Sequence, residues 1–234
     1  MIEKGVYMKI LITGGGCREA IDNVRCVTNT STGKTSASIA DYFSRQGCQV
    51  TLLTAASAIK PKEQCTIRSF VSGADLGRLL EEELTRQEFQ LVIHAAAVSD
   101  FIPETVIMDG VSVAAGPEGK IPSGSSMTVT FRSAPKLADS IKSWAKEGGH
   151  REPTVVCFKL TSGADAEKVL AACHAILSRG AADFVVANDI LNITAKSHPF
   201  VVNMLKNNQV EALQRGETEE EMAKILYHIA TENT

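Results

Sequence analysis

Short apolar runs alternate with segments of helical periodicity along most of the chain. Six apolar runs are predicted to be strands: residues 9–13, 50–54, 65–70, 91–95, 154–158 and 183–187. Five segments carry apolar residues at helical spacing and are predicted to be helices: 34–46, 73–88, 135–146, 164–179 and 217–231. This alternation is typical of an α/β fold with a doubly wound, mostly parallel, Rossmann-like sheet.

The alternation breaks between residues 101 and 133, a segment that is rich in glycine and proline and then alternates as MTVTF. This composition favours hairpins and loops over a crossover helix. A second hairpin is predicted at 200–213, with Asn207-Asn208 as its turn. We therefore predict one domain over residues 8–234, with 101–133 as an irregular hairpin or flap insertion and 1–7 as an N-terminal extension.

The composition argues against several classes of protein. The 234 residues carry a net charge of −3 and no long run of lysine and arginine, so a nucleic-acid surface is not expected. No apolar run approaches the length of about 18 residues that a membrane span needs. The six cysteines form no CxxC pair, which speaks against a zinc cluster or a disulfide framework and favours a cytoplasmic location.

Glycine-rich and polar loops supply candidate ligand contacts, because doubly wound sheets bind ligands beyond the carboxyl ends of their strands. Gly14-Gly15-Gly16 follows the first strand and either brings backbone amides to a phosphate or makes a tight turn. Residues 23–36 (NVRCVTNTSTGKTS) then offer hydroxyl groups, glycine amides and an arginine, which suit a triphosphate. Ser31 or Thr32 is also expected to cap the helix that follows.

Two familiar nucleotide-binding motifs do not fit. Gly33-Lys34-Thr35 looks like the end of a P-loop, but Thr28 stands where the P-loop needs its first glycine. Short-chain reductases use a tyrosine four residues before a lysine, and none of the three tyrosines has one. A reductase-like oxidoreductase that binds NAD(P) and a non-catalytic nucleotide sensor are kept as alternative functions.

Six motifs together resemble the phosphopantothenate–cysteine ligase family of coenzyme A biosynthesis. In chain order they are ITGGG with R-E-x-I-D-x-V-R (12–25), N-T-S-T-G-K (29–34), A-A-V-S-D-F (96–101), G-K-I (119–121), F-K-L (158–160) and A-N-D-I (187–190). Thr32 and Ser36 depart from the family's pattern, which has serine and glycine there. The 234 residues contain no counterpart of the flavin-binding decarboxylase domain that many bacterial relatives carry at their N-terminus, so the expectation is a one-activity form without flavin.

This resemblance implies a ligase, also called phosphopantothenoylcysteine synthetase, that works in two steps. The carboxylate of 4′-phosphopantothenate attacks the α-phosphate of CTP or ATP and releases pyrophosphate, which leaves an acyl-nucleotidylate. The amino group of L-cysteine then forms the amide and releases the nucleoside monophosphate. Mg²⁺ and lysine are expected to offset the repulsion between the anionic reactants, with no protein ligand of the metal assigned. Of the two nucleotides, we slightly favour CTP as the co-substrate, because the chain is short and is expected to have one activity.

The same resemblance assigns roles to individual residues. Lys120 assists formation of the acyl-nucleotidylate, and Asn29 binds substrate and polarises the acyl carbonyl in the cysteine step. Arg25 binds the substrate phosphate from the other subunit of a homodimer that pairs through 101–133. The other substrate-binding residues are Ala96, Ala97 and Asp100, and the nucleotide-binding residues are Gly14, Gly15, Ser31, Gly33, Phe158 and Asn188. Phe158 is equally compatible with a plain core position, and His94 is expected to be a packed strand histidine.

Overall fold

The computed structural model describes residues 8–122, 124 and 126–232, so the predicted extension at 1–7 lies outside the described residues. Within this part of the chain the strands are β1 (Lys9–Gly14), β2 (Arg18–Ala20), β3 (Cys26–Thr28), β4 (Gln49–Ala55), β5 (Thr66–Phe70), β6 (Leu91–His94), β7 (Phe101–Met108), β8 (Val111–Ala114), β9 (Met127–Ser133), β10 (Thr154–Thr161), β11 (Phe184–Asp189), β12 (Phe200–Lys206) and β13 (Gln209–Gly216). The α-helices are α1 (Lys34–Arg45), α2 (Gly73–Arg86), α3 (Ile141–Glu147), α4 (Ala166–Leu177) and α5 (Glu219–Glu232).

Eight of these strands form the main sheet, in the order β13-β12-β11-β10-β6-β1-β4-β5. β1 pairs in parallel with β4 on one side and with β6 on the other, and the parallel pairing continues to β5 and to β11. β12 and β13 are antiparallel and form the second edge. The chain winds outward from β1 to β5, returns to β6 and then winds the other way. A topological switch point therefore lies between β1 and β6.

Helices cover both faces of the main sheet because its inner strands are apolar on both sides. α1 and α5 pack on one face, where Phe43 and Leu226 are buried with Ile12 of β1. α2, α3 and α4 cover the other face, with Leu80 and Ile141 among the buried side chains. Burying each of these large apolar side chains stabilises the fold by about 1.5–3 kcal/mol. No helix among the described residues is long and apolar enough to cross a membrane.

The insertion at 101–133 forms its own antiparallel sheet, in the order β8-β7-β9. One face of this sheet is closed by Val106, which is buried against Ile21 and Ile121. Phe101 and Val111 remain 57% and 64% exposed. The insertion therefore presents apolar side chains to solvent in the single chain.

The predicted fold class is confirmed, including the mostly parallel sheet and the hairpins of the insertion. Asn207 and Asn208 make the predicted turn between β12 and β13, with φ values of 50° and 60°. Two details were not predicted. A 3-10 turn at Leu137–Ser140 precedes α3 where one continuous helix was expected. β2 and β3 form a short antiparallel pair where no strand was predicted, and β3 lies inside the loop expected at 23–36, since three-residue strands are too short to give a periodic signal.

The start of α1 also differs from the prediction. Gly33, in a left-handed conformation with φ of 73°, is the N-cap, and no side chain caps the helix. Thr32 Oγ1 instead accepts a hydrogen bond from Lys34 N at 3.3 Å. The prediction that Ser31 or Thr32 caps α1 is therefore wrong, because the sharp turn at Gly33 places both residues outside the capping position.

Candidate active site

A cavity of about 1310 Å³ opens at the carboxyl ends of β6, β10 and β11, beside the switch point. Its walls come from stretches of chain that lie far apart in sequence: 28–36, 94–100, 135–138, 157–160, parts of 188–198, the C-terminal half of α4 and the start of α5. A crevice in this position is where doubly wound α/β proteins bind their ligands.

Backbone hydrogen bonds fix the loop after β6 to the loop after β1. Ala97 N donates to Gly15 O at 2.9 Å, and Cys17 N donates to Ala97 O at 3.1 Å. Ala96 N donates to Thr13 Oγ1 at 3.1 Å. These bonds hold two small side chains, Ala96 and Ala97, in the cavity wall. Space for a ligand therefore remains next to the switch point.

Gly14 and Gly15 are closely packed in the structure. A Cβ atom at Gly14 would lie 1.8 Å from Ser36 Oγ, and one at Gly15 would lie 2.7 Å from Ala55 Cβ. Gly15 also has a φ of 82°, which L side chains rarely adopt. Packing alone thus requires both glycines, and their contact with a nucleotide stays a prediction.

Replacing Gly14 with alanine is expected to lower the free energy of unfolding by about 2–3 kcal/mol, because the new methyl group overlaps the buried Ser36 side chain. Urea unfolding followed by circular dichroism measures the change. Gly116→Ala is the matched control, since a Cβ there meets no atom within 4 Å. The Gly14→Ala/Ser36→Gly double variant should be more stable than Gly14→Ala, and equal stability of the two would contradict the packing explanation.

The polar loop before α1 forms one wall of the cavity. Asn29 Nδ2 donates a hydrogen bond to Val98 O at 3.2 Å, which joins this wall to the loop after β6. Ser36 Oγ donates to Gly33 O at 2.8 Å, so this buried hydroxyl is used within the start of α1. Other hydroxyl-bearing residues of the loop line the cavity: Thr30, Ser31, Thr32 and Thr35.

Basic side chains outnumber acidic ones around the cavity. The basic residues are Lys34, Lys136, Lys159, Arg179 and Lys196, and the acidic residues are Asp100, Glu219 and Glu220. Lys136 forms an ion pair with Asp100, and Arg179 with Asp139 outside the lining. Lys159 forms no ion pair within the described part of the chain. The positive excess favours an anionic ligand.

Two titratable groups in the wall are neutral because they are buried. Burial lowers the pKa of His94 to about 4, and His94 Nδ1 lies 3.0 Å from Thr13 Oγ1. Burial also raises the pKa of the Cys157 thiol to about 12. His94 is therefore a packed, neutral strand histidine at pH 7, as expected, and Cys157 is a packed thiol with little thiolate character.

His94 should make the fold less stable as the pH falls. Its pKa in the folded state, about 4, lies below the ordinary value of 6.5, so the unfolded chain binds the proton more readily between these two values. Stability attributable to His94 is intact above pH 6.5, declines down to pH 4 and then levels off, by up to about 3 kcal/mol in all. Urea unfolding at both ends of this window should show a smaller loss for His94→Gln than for the unchanged chain. The exposed His228→Gln should match the unchanged chain.

A chain of polar contacts runs from α1 to β11 along the cavity wall. Lys34 Nζ lies 3.0 Å from Glu219 Oε2, and Glu219 Oε1 lies 3.7 Å from His198 Nδ1. His198 Nε2 lies 2.7 Å from Asn188 Nδ2. Asn188 Oδ1 is buried and has no hydrogen-bond partner within the described part of the chain. All four residues line the cavity.

Most of the predicted site residues lie in this cavity. The predicted residues that line it are Asn29, Ser31, Gly33, Ala96, Ala97, Asp100, Phe158 and Asn188. The described residues Gly14, Gly15, Arg25 and Lys120 are not part of its lining in the single chain. Arg25 lies against the insertion, where its Nη2 donates to Ile121 O at 3.1 Å.

Several polar residues of the cavity were not singled out from the sequence. They are Lys136, Lys159, Arg179, His198 and Glu219. Lys159 follows Phe158 within the F-K-L motif, which was the only local signal available for any of them. The others are ordinary in their sequence contexts and are brought together only by the packing of α3, α4 and α5 on the sheet.

The fold and the cavity define a class of protein: a doubly wound α/β protein with a ligand cavity beside its switch point that is rich in basic side chains. The chain belongs to the family of DNA/pantothenate metabolism flavoprotein C-terminal domains, whose model matches residues 6–232. The family membership that the motifs indicated is therefore confirmed.

Individual proteins show the same relationship. The chain is 30% identical, over 186 residues, to the coenzyme A biosynthesis bifunctional protein CoaBC of Thermococcus kodakarensis, and this match covers 78% of the chain and 41% of that protein. The chain thus spans less than half the length of this relative. The chain also resembles the DNA/pantothenate metabolism flavoprotein from Streptococcus pneumoniae, whose crystal structure is known. The two sequences are 27% identical and the two structures superpose with a TM-score of 0.82, over 97% of this chain and all of that one. A Cab2 mutant in complex with phosphopantothenate-cysteine shares the fold, with 20% identity, a TM-score of 0.73, and coverage of 97% of this chain and 87% of that one.

Proposed function

We propose that this chain is a phosphopantothenate–cysteine ligase that activates the substrate carboxylate with CTP or ATP. The observation that carries the proposal is the meeting of motif residues from four separate segments in one cavity: Asn29, the Ala96–Ala97 pair, Phe158 and Asn188. A nucleoside triphosphate and phosphopantothenate are both anions, and the excess of basic side chains around the cavity suits them. We take 8–234 to act as a single domain in the cytoplasm.

Each part of the cavity has a proposed task. Ala96, Ala97 and Asp100 border the place of the pantothenate chain, next to Asn29 at the reacting carbonyl. Ser31 and Gly33 offer a hydroxyl and a backbone amide to phosphate oxygens, and the half-buried ring of Phe158 offers a flat apolar surface to the base. Gly14 and Gly15 allow the end of β1 and the loop after it to pack closely against α1 and β4, next to this wall.

Mg²⁺ is proposed to enter as the metal–nucleotide complex. The ion commonly keeps several waters and binds through substrate phosphates plus one or two carboxylates, so it does not depend on an all-protein cage. Within the described residues, no cluster of three or more histidine, cysteine, aspartate or glutamate side chains suits a metal ion. Glu219 and Asp100, which line the cavity, are each paired with a lysine. The metal supplies charge neutralisation at the α-phosphate when it is bound.

The active form is proposed to be a homodimer that pairs through the insertion. Phe101, Val111 and Met127 are exposed on the insertion sheet of the single chain. Arg25 lies beside this sheet, and its Nη1 is 3.5 Å from Met127 Sδ. A second copy packed on this surface would cover the apolar side chains and bring Arg25 to the neighbour's phosphopantothenate.

A mixing experiment tests the shared site. Arg25→Ala and Asn29→Asp chains, each of low activity alone, are mixed under exchange conditions. If Arg25 acts across the dimer, half of the mixed chains form heterodimers with one intact site each, so about a quarter of the original activity returns. No recovery, with mixed dimers demonstrated by mass spectrometry, would mean that Arg25 acts on its own subunit.

The ligase activity is tested by pyrophosphate release. The purified chain is incubated with Mg²⁺, 4′-phosphopantothenate and L-cysteine together with CTP or ATP, and the amide product is identified by mass spectrometry. Release that depends on phosphopantothenate, with amide formation that depends on cysteine, is the expected result. No release with either nucleotide would overturn the proposal, and saturable NADPH binding in its place would favour the reductase alternative.

A further inference from the structure

We propose that Asp22 is a positioning residue that fixes the segment carrying Lys120 to the turn carrying Arg25, so that both cations meet the reacting anions in one set geometry. Asp22 stands in the R-E-x-I-D-x-V-R motif, three residues before Arg25, and does not line the cavity. The inference rests on the proposed function in taking Lys120 and Arg25 as groups that meet the substrates. It adds the residue that determines where Lys120 lies.

Asp22 is a buried carboxylate, only 4% exposed, that closes the turn between β2 and β3. Its Oδ1 accepts hydrogen bonds from Val24 N at 2.8 Å and from Arg25 N at 2.7 Å. Ile21 N also donates to Arg25 O at 2.9 Å across the same turn. Aspartate commonly stabilises turns in this way. One of the two carboxylate oxygens is therefore used within the turn itself.

The other carboxylate oxygen reaches a distant part of the chain. Asp22 Oδ2 accepts a hydrogen bond from Ile121 N at 3.2 Å and lies 3.6 Å from Arg25 Nη1. Nη2 of the same guanidinium donates to Ile121 O at 3.1 Å. Both backbone polar groups of Ile121 are thus bound by charged side chains of the turn. Hydrogen bonds to charged groups are stronger than those between neutral groups, so this contact fixes the residue after Lys120.

The same turn also holds the residue before Lys120. Asn23 N donates to Gly119 O at 3.0 Å, and Gly116 N donates to Ile21 O at 3.1 Å. The backbone of Lys120 therefore lies between two residues that are each bound to the turn. Its side chain is exposed and free to reach a ligand.

The charge of Asp22 gives this contact a direction that apolar packing lacks. Ile121 is buried with Ile21 and Val106, but apolar contacts are non-directional. Burial acts to raise the pKa of Asp22, yet hydrogen bonds from backbone N–H groups lower it below the ordinary value overall, so the group is an anion at pH 7. Arg25 has five N–H donors, so its contacts with the turn leave others for a substrate phosphate.

One substitution separates the two tasks of the carboxylate. Asp22→Asn keeps the size of the side chain and an oxygen that can accept from Val24 N and Arg25 N. Its amide nitrogen then faces Ile121 N, and two donors cannot bond to each other. The turn is kept while the contact with the Lys120 segment is lost. Asp41→Asn is the matched control, because Asp41 Oδ1 also accepts two backbone N–H groups from a distant loop, those of Lys62 and Glu63.

Hydrogen exchange of the full chain, followed by NMR, measures the contact itself. In Asp22→Asn the protection of the Ile121 amide should fall by about tenfold or more, and that of the Arg25 amide should change much less. Asp41→Asn should leave the Ile121 amide as protected as in the unchanged chain. Full protection of Ile121 in Asp22→Asn would overturn the inference.

Pyrophosphate release then shows whether Asp22 acts through Lys120. At saturating substrates, Asp22→Asn should lower kcat by about tenfold or more when Lys120 is present, but by less than about threefold in the Lys120→Ala background. Asp41→Asn should leave kcat unchanged. A merely structural role would lower kcat by the same factor in both backgrounds, and that result would overturn the positioning role.

The two measurements also separate this inference from the proposed function. An unchanged chain that releases no pyrophosphate overturns the ligase function, and exchange of the Ile121 amide still decides whether Asp22 fixes the segment. An active ligase with equal kcat losses in both backgrounds overturns the inference alone. If Asp22→Asn does not fold, Asp22→Ser is measured in the same way, because a serine hydroxyl supports a similar turn but is too short to reach Ile121 N.

Discussion

Lys120→Ala is expected to lower kcat for pyrophosphate release by about a hundredfold or more, with a much smaller change in KM for the nucleotide. The reason is electrostatic. Attack of a carboxylate on an α-phosphate gathers negative charge, and a lysine that reaches this charge only in the transition state raises kcat. The measurement is steady-state pyrophosphate release at saturating phosphopantothenate.

The structure makes Lys120 suitable for such a test. Its two neighbours are anchored: Gly119 O accepts from Asn23 N at 3.0 Å, and Ile121 N donates to Asp22 Oδ2 at 3.2 Å. The Lys120 side chain itself is exposed in the single chain. Its removal should therefore leave the free energy of unfolding within about 0.5 kcal/mol.

The matched control is Lys206→Ala, another exposed lysine, which is the last residue of β12. It should retain the activity of the unchanged chain. Full activity of Lys120→Ala would mean that the lysine has no part in the chemistry and would favour the nucleotide-sensor alternative. A loss confined to KM would make Lys120 a binding residue for the nucleotide.

Asn29→Asp is expected to divide the reaction into its two steps. The first step, measured as a burst of pyrophosphate without cysteine, should stay within about tenfold of the original rate. Amide formation should fall by about a hundredfold or more, because a carboxylate can no longer donate a hydrogen bond to the acyl carbonyl and adds an unfavourable charge. The acyl-nucleotidylate should then accumulate and be detectable by mass spectrometry.

Asn29 lines the cavity, and its exposed side chain is held at the wall by the hydrogen bond from Nδ2 to Val98 O at 3.2 Å. Asn192→Asp is the control, because Asn192 is an exposed asparagine of the 3-10 turn after β11. An equal loss in both steps of Asn29→Asp would assign Asn29 to substrate binding alone. Normal amide formation would remove it from the reaction.

Part of the cavity could be predicted from the sequence because some motif residues stand directly after apolar strands. Ala96 and Ala97 follow β6, and Asn188 lies near the carboxyl end of β11. Strand ends can be located from periodicity, and parallel strands bring their carboxyl ends to one edge. The order of the motifs along the chain matched a known family, and this match assigned roles to the residues. These residues could therefore be named before their distances were known.

Other features depended on contacts that no local pattern encodes. The clash of a Gly14 methyl group with Ser36 exists only because α1 crosses directly over the end of β1. The contact of His198 with Asn188 joins residues on either side of a 3-10 turn and a loop, and Glu219 reaches them from another helix. Histidine and glutamate are ordinary in both segments. Their contacts with Asn188 and with each other become visible only in the folded chain.

The sequence by itself determined the α/β class, the strands and helices long enough to show a period, and the family, because these depend on the spacing of apolar residues and on the order of short motifs. Only the tertiary structure decided which residues share the cavity, why Gly14 and Gly15 must be glycines, and which polar contacts link Lys34, Glu219, His198 and Asn188. The spacing of apolar residues shows which side of a single helix or strand is buried. Hydrogen bonds and packing between α1, α5 and β11 depend on how those elements lie against each other, which the spacing of residues does not specify.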